Sequence, residues 1–247
     1  MEKENVIEIK NLTAGFDGRT VLENISLEIK RNEIFVILGS SGGGKTTLLK
    51  HIIGLLKPEK GSISVFGKEI LNMEIDEFEG ILKRIGMLFQ GGALLNSMAV
   101  WENIAIPLEQ HTQLENEVIS NIVKQKLSLV NLEDAYYMLP SELSGGMKKR
   151  VSLARAIAMD PEILFFDEPS AGLDPITSSD LDELILDLKK KLGITLVIVT
   201  HELESIKRIA DRIIYLQKGK NIFCGTIEEA KISHIEEIDR FFGWDKD

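Results

Sequence analysis

The sequence predicts an α/β fold: a mainly parallel sheet, an antiparallel β portion at the amino end, and an inserted helical subdomain. Three observations predict it. Short apolar runs of strand length alternate with helical patterns, the β-rich first third gives way after residue 90 to a stretch of helical character, and the β signal returns from Pro161.

Each element follows from its local pattern. Ile7-Glu8-Ile9 alternates, and Val21 to Ile29 contains a second alternating stretch, as half-buried strands require. Ile34 to Leu38 is continuously apolar, which suits a strand covered on both faces. A glycine-rich loop follows, then Leu48, Leu49, Ile52, Ile53 and Leu56 on helical spacing over Thr46 to Leu56. Lys57 to Gly61 reads as a turn, and Ser62 to Phe66 and Ile85 to Phe89 as short strands. In the middle segment, Leu114 to Val130 and Lys148 to Met159 read as helices. Ile163 to Phe166, Ile194 to Val199 and Ile213 to Leu216 are strands with helical patterns between them. The tail, Ile227 to Trp244, places Ile232, Ile235, Ile238, Phe241 and Phe242 near helical spacing. It reads as a helix packed on its own domain, with a partner contact as the alternative. The expected organisation is one domain over 1–247: a core of 1–90 and 160–225, a helical subdomain over 91–159, and a helical tail over 226–247.

Composition removes several classes of function. The 44% apolar and 28% charged residues place the chain among globular proteins rather than disordered ones. With 29 Lys and Arg against 39 Asp and Glu, the net charge of -10 argues against nucleic acid as the main partner. A single cysteine, Cys224, leaves no internal disulfide and no cysteine metal site, and reads as a small apolar residue rather than a nucleophile. The amino terminus lacks the apolar core of a signal peptide, and no run reaches the ~18 residues of a membrane span, so a cytosolic chain is expected.

The chemistry begins at Gly39-Ser40-Ser41-Gly42-Gly43-Gly44-Lys45-Thr46, between a buried strand and a helix. Glycines let successive backbone N–H groups turn toward an anion, and the helix start adds its positive end. Lys45 can reach the β- and γ-phosphates, and the Thr46 hydroxyl can ligate Mg²⁺. This predicts a P-loop NTPase core binding a nucleoside triphosphate and Mg²⁺. Ile163 to Phe166 is an apolar strand ending in Asp167 and Glu168. Beside a P-loop, Asp167 can hold Mg²⁺ through water and Glu168 can act as general base on the attacking water. Ile194 to Val199 delivers Thr200-His201, and a histidine at that strand end can donate to the γ-phosphate. Ser144-Gly145-Gly146 before a helix is a second anion-binding element, acting either as a helix cap or as a lid over a nucleotide held by another copy. Lys148-Lys149-Arg150 reads as a solvated helix face, with Arg150 and Arg155 balancing nearby acids and phosphate contact as the alternative. Trp101 reads as packing within the helical segment or under a partner contact, and Trp244 as a tail residue.

Over residues 6 to about 225 the chain resembles the ATP-binding subunits of ABC transporters. Leu143-Ser144-Gly145-Gly146-Met147 is similar to their signature, Gln90 to the Q-loop glutamine that contacts Mg²⁺, water and the membrane partner, Ser170 to Asp174 to the D-loop, and His201 to the switch histidine. Phe16 stands where the family places an aromatic on adenine, or is a core residue. The resemblance implies that Gly39 to Thr46 and Thr47 hold the nucleotide, with Thr46, Gln90 and Asp167 at Mg²⁺. It also implies a head-to-tail homodimer in which each nucleotide meets the other copy's Ser144, Gly145 and Gly146, with Asp174 in the D-loop. One departure is Met147 where the signature usually has Gln, because a thioether cannot replace the amide's hydrogen bonds.

That departure, with Met87 to Leu94, Glu102 to Leu108, Glu109 to Thr112 and Gly172 to Thr177, resembles the ATPases of MCE-linked phospholipid transport systems. The resemblance implies an integral membrane permease and an MCE-domain lipid carrier as partners, no nucleic acid, and a place at the cytoplasmic face of the inner membrane. An importer ATPase for a polar solute such as an amino acid is the alternative, with the segment from Gly91 to Pro107 as the discriminating region. A soluble ABC ATPase acting on nucleic acid or ribosomes fits poorly with one P-loop and an acidic charge. A catalytically dead module fits poorly with Lys45, Asp167, Glu168 and His201 all in place.

Overall fold

The computed structural model describes residues 4–16 and 19–244. The chain divides into two compact units, residues 1–81 with 195–247 and residues 82–194, each with its own internal contacts.

In the first unit the amino-terminal alternation becomes a long hairpin, β1 (Asn5–Phe16) and β2 (Arg19–Lys30), paired antiparallel from Phe16–Arg19 back to Asn5–Lys30. Ile7, Ile9, Leu12 and Ala14 face Leu22, Ile25, Leu27 and Ile29, all buried. Register shifts interrupt the pairing near Asn11, which sits at φ 52 and whose N–H is received by Ser26 Oγ. Asparagine tolerates the left-handed region that such an irregularity needs. Strands β4 (Lys60–Val65) and β5 (Lys68–Glu69) complete the antiparallel layer, β4 lying on β1.

The second layer of this unit centres on β3 (Ile34–Gly39), buried at every position. Parallel strands β8 (Thr195–Val199) and β9 (Arg212–Gln217) flank it, and β10 (Lys220–Thr226) pairs antiparallel with β9. β10 has no apolar run to announce it. Its signal is the turn: Lys218 and Gly219 both have positive φ, 48° and 78°, the geometry of a tight two-residue hairpin. Helix α1 (Lys45–Ile52) follows the glycine-rich loop. It stops before the expected Leu56 because Gly54 takes φ 72 against Phe78, where a Cβ would come within 2.2 Å of the ring; Leu55 is left exposed. The tail forms two short helices, α8 (Ile227–Ile232) and α9 (Glu236–Phe242), rather than one. Phe241 meets Tyr215 of β9 edge-on at 5.6 Å and Trp244 stacks on Phe242 at 4.3 Å, so α9 packs on its own sheet.

In the second unit, β6 (Ile85–Leu88) and β7 (Ile163–Asp167) form a parallel pair, in register from Ile85–Ile163 to Leu88–Phe166. Helices α3 (Val100–His111), α4 (Asn116–Leu129) and α5 (Gly145–Ala156) lie between them in sequence, and α6 (Pro175–Leu192) follows β7. α5 begins and ends three residues before the expected Lys148 to Met159. Ser144 caps it, its Oγ accepting from Met147 N at 3.2 Å. Trp101 stacks on Tyr136 at 6.0 Å, and the buried Lys126 pairs with Asp160.

Charge is also buried in the first unit. Glu33, 3% exposed, accepts from Lys30 N at 2.7 Å and from Arg212 Nη1 at 3.1 Å, and the guanidinium lies over the Phe35 ring. Removing one partner strands the other charge. Arg212→Met is therefore expected to destabilise the fold by about 3 kcal/mol, read as a lower midpoint in urea unfolding.

Candidate functional site: a phosphate loop and a carboxylate pair

Gly39 ends β3 in register with Leu216 of β9. Its φ of 144° and a phantom Cβ only 1.9 Å from the Leu216 carbonyl admit no side chain. The chain can therefore leave the sheet here in a tight turn toward α1. Gly44 is the N-cap of α1 at φ 98, and no side chain caps the helix; its first turn carries no acid. The amino-terminal N–H groups of a helix have no partner within it. Here they open into a cleft of about 170 Å³ lined by Val21, Gly42, Gly43, Gly44, Lys45, Thr46 and Thr47. Lys45 Nζ donates to the carbonyls of Gly39 (3.0 Å) and Ser40 (3.1 Å), which holds its positive charge against the loop. Ser40, Ser41 and Thr46 are exposed. This set of residues suits an anion with several oxygens, as a polyphosphate has.

His201 lies at the same end of this sheet. The last registered pair of β3 and β8 is Ile37–Val199, and two residues further on come Gly39 and His201. The histidine is exposed, and Thr200 before it accepts the Glu202 N–H, which turns the chain out of the strand. Phe16 closes β1 opposite Arg19; its side chain lies outside the described residues.

The second unit repeats this logic. Two residues beyond the last registered pair, Leu88–Phe166, come Gln90 and Glu168, side by side at the carboxyl end of the parallel pair. Asp167 and Glu168 are half-buried. Glu168, which precedes Pro169, has φ 50, a left-handed value that Cβ sterics oppose in any residue but glycine. Its carbonyl accepts from Ala171 N at 3.2 Å, and Leu173 N closes the next turn on Ser170 O at 3.0 Å. Asp174 then caps α6, accepting from Ile176 N and Thr177 N at 3.1 Å each. The Thr177 hydroxyl and backbone beside it hold the Asp174 carboxyl below its ordinary range.

Ser144 and Met147 sit at the start of α5, Met147 half-buried and contributing its backbone N–H to the cap. Gly145 and Gly146 pack against Leu173 and the start of α6; a Cβ on Gly146 would lie 2.7 Å from Thr177 Cγ2. The structure thus brings Gly39 to Thr47 and His201 together at one sheet end in the first unit. In the second it brings Gln90 and Glu168 together, with Gly145 and Gly146 against Leu173 and Thr177.

The expectation for Lys148-Lys149-Arg150 is corrected. Only Lys148 is exposed. Lys149 is 7% exposed and donates to the carbonyls of Gln90 (2.5 Å) and Glu168 (3.4 Å). Arg150 donates to Val130 O, and Arg155 to Ala93 O at 2.8 Å and Gly92 O at 2.7 Å, so these cations cap carbonyls rather than balance acids. Positions 149, 152 and 155 share one face of α5, on which Lys149 and Ser152 are buried. Burial pushes the Lys149 ammonium below its usual range, and the Glu168 and Asp167 carboxylates oppose that shift. Asn103, fully buried, was a second missed residue. It binds both backbone groups of Leu95 and the carbonyls of Met98 and Ala99, while Glu102 receives the Ala99 N–H. A polar residue amid Ile104, Ala105 and Leu108 was the signal for it.

A glycine loop on a helix start, reached from a buried parallel strand, defines a P-loop nucleoside triphosphatase. The chain belongs to the ABC transporter family, whose pattern matches residues 22–171. It is 41% identical to the intermembrane phospholipid transport system ATP-binding protein MlaF of Haemophilus influenzae, over 99% of this chain and 92% of that one. It is also 41% identical to the methionine import ATP-binding protein MetN of Clostridium acetobutylicum, over 98% of this chain and 75% of that one. The dimeric structure of MJ0796, a bacterial ABC transporter cassette, superposes with a TM-score of 0.81 at 31% identity, covering 90% of this chain and 98% of that one. The chain is an ATP-binding, ATP-hydrolysing ABC cassette, with the α/β core and antiparallel amino-terminal sheet expected from its sequence.

The loop geometry is testable without turnover. Gly39→Ala must displace the β9 backbone, so it is expected to lower the unfolding midpoint by about 2 kcal/mol or more in equivalent stability. It should also abolish ATP binding measured by calorimetry.

Proposed function

We propose that this ATPase powers phospholipid transport between inner and outer membranes, at the cytoplasmic face of the inner membrane, through an integral permease and an MCE-domain carrier. The observation that carries the ATPase part is the uncapped, glycine-built start of α1 with Lys45 across it. The lipid cargo is supported by the likeness to MlaF over nearly the whole of both chains. The comparable identity to MetN supports the second reading, an importer ATPase for a polar solute.

In this proposal the loop from Gly39 to Thr47 binds the ATP phosphates, Lys45 places its charge on the β- and γ-phosphates, and Phe16 stacks on adenine. Hydroxyl, carboxylate and amide oxygens are the hard donors Mg²⁺ prefers, and it keeps waters and phosphate oxygens for the rest of its shell. Thr46, Asp167 and Gln90 supply that donor set. When bound, the ion neutralises phosphate charge. Glu168 takes a proton from the attacking water, and His201 donates to the γ-phosphate as negative charge builds there. Ser144, Gly145 and Gly146 of a second copy close on the nucleotide, with Asp174 in the D-loop at the same interface. The dimeric state of the MJ0796 cassette supports that assembly. The subdomain over 91–159 carries the signature and meets the permease, the core spans 1–90 and 160–225, and the tail over 226–247 completes the domain.

Lys45→Ala is expected to lose ATP binding and turnover together, measured by calorimetry and phosphate release. Glu168→Gln should bind ATP normally but hydrolyse it ~10²–10⁴-fold more slowly; near-wild-type turnover would remove Glu168 from its role. For the cargo, the tagged chain is pulled from its own membranes and the co-purifying proteins and lipids are identified by mass spectrometry. A permease with an MCE-domain protein and bound phospholipid is expected. A permease with a soluble-solute receptor and no MCE protein would favour the importer.

A further inference from the structure

Lys149 is buried in the second unit and touches the backbone carbonyls of Gln90 and Glu168, two residues whose side chains the proposed chemistry uses. Gln90 and Glu168 leave neighbouring parallel strands at the same level, two residues beyond Leu88 and Phe166. Their carbonyls therefore point into one small space at the end of the pair, and Lys149 Nζ reaches both, at 2.5 Å and 3.4 Å. The lysine stem descends from α5, the helix whose first residues are the signature glycines.

Two features make this more than a satisfied buried cation. First, Glu168 sits at φ 50, a conformation that Cβ sterics oppose. It persists only if surrounding groups over-determine it. The Glu168 carbonyl has two such partners, Ala171 N within its own turn and Lys149 from outside it. Second, the segment after Gln90 is held as a body. Arg155 grips the carbonyls of Gly92 and Ala93, Gly92 lies so close to Ser152 that a Cβ would stand 2.6 Å from its Oγ, and Asn103 secures Leu95, Met98 and Ala99 from α3. The 90–99 segment is thus tied to α3 and α5, and Lys149 on α5 joins it to the backbone of Glu168.

We infer that Lys149 is a positioning residue for hydrolysis, tying the Gln90 carbonyl to the Glu168 carbonyl so that the 90–99 segment sets the placement of the general base. This rests on the reading of Glu168 as the base. Lys149 touches no substrate in this scheme; it acts through Glu168. Losing such a tie shifts the base rather than removing it, and misplacement of a reacting group on the scale of 1 Å costs up to about 10²-fold in rate.

The test compares the full-length chain with Lys149→Met, Lys149→Arg, Glu168→Gln and the Lys149→Met/Glu168→Gln double variant. Steady-state and single-turnover ATP hydrolysis, ATP binding by calorimetry and thermal midpoints are measured for each. Lys149→Met should lower kcat about tenfold or more while KM and the ATP Kd stay within about twofold. Lys149→Arg, which keeps the charge and the donors, should recover most of the rate. Because Lys149 acts through Glu168, the double variant should hydrolyse no more slowly than Glu168→Gln alone. If Lys149→Met does not fold, Lys149→Gln takes its place with the same expectations. Wild-type kcat in the Met or Gln variant, a full multiplicative loss in the double variant, or parallel loss of ATP binding and thermal midpoint would each overturn the proposal. Wild-type turnover by Glu168→Gln would instead overturn the reading of Glu168 as base, visible whatever Lys149 does.

Discussion

The structure depends on one constraint: parallel strands that end level with each other deliver their following residues to a common edge. In the first unit this sets Gly39 and His201 two residues past the Ile37–Val199 pair. In the second it sets Gln90 and Glu168 two residues past Leu88–Phe166. Hydrogen-bonded register is fixed along the whole strand, because a one-residue slip would turn every side chain to the other face. The fully buried β3 and the nearly buried β7 cannot slip. Placement of the chemistry is thus an outcome of burying Ile34 to Leu38 and Ile163 to Phe166.

What happens at each edge depends on how the backbone leaves it. After β3 the absence of side chains decides: Gly39 passes against the Leu216 carbonyl and Gly44 turns into α1 with left-handed φ, so amide N–H groups face the cleft. After β7 the opposite device operates. Glu168 carries a full side chain in a left-handed conformation, and its turn is stabilised by carbonyl contacts, from Ala171 and from Lys149. One edge is made by glycine freedom and binds; the other is made by imposed geometry and holds a carboxylate. Stored backbone strain of this second kind is common where a reactive group must be aimed.

Much of this was legible in the sequence because its signals are local. The apolar runs of β3, β7 and β8, the glycines before Lys45, and the carboxylates at a strand end each show within a few residues. The signals that failed are those set by three-dimensional context. α5 reads as starting at Lys148 because Gly145 and Gly146 look like loop, yet Ser144 caps it earlier, and the face that carries Lys149 and Ser152 is buried. Cations in sequence look solvated; what makes these buried is a loop whose carbonyls need donors. β10 was missed because a partly exposed edge strand carries no apolar run, and the tail divides at Ser233 and His234 without a glycine or proline to mark it.

The proposed function requires one chain to supply two half-sites, a phosphate loop with its base and a signature that serves another copy. A crystal structure of the Glu168→Gln chain grown with ATP and Mg²⁺ tests it most directly. Two copies head to tail are expected, with each γ-phosphate between Lys45 and the Gly42 to Thr46 amides of one copy and Ser144 to Gly146 of the other. ATP bound away from the Gly39 to Thr47 loop, or a γ-phosphate met by the signature of the same copy, would contradict it.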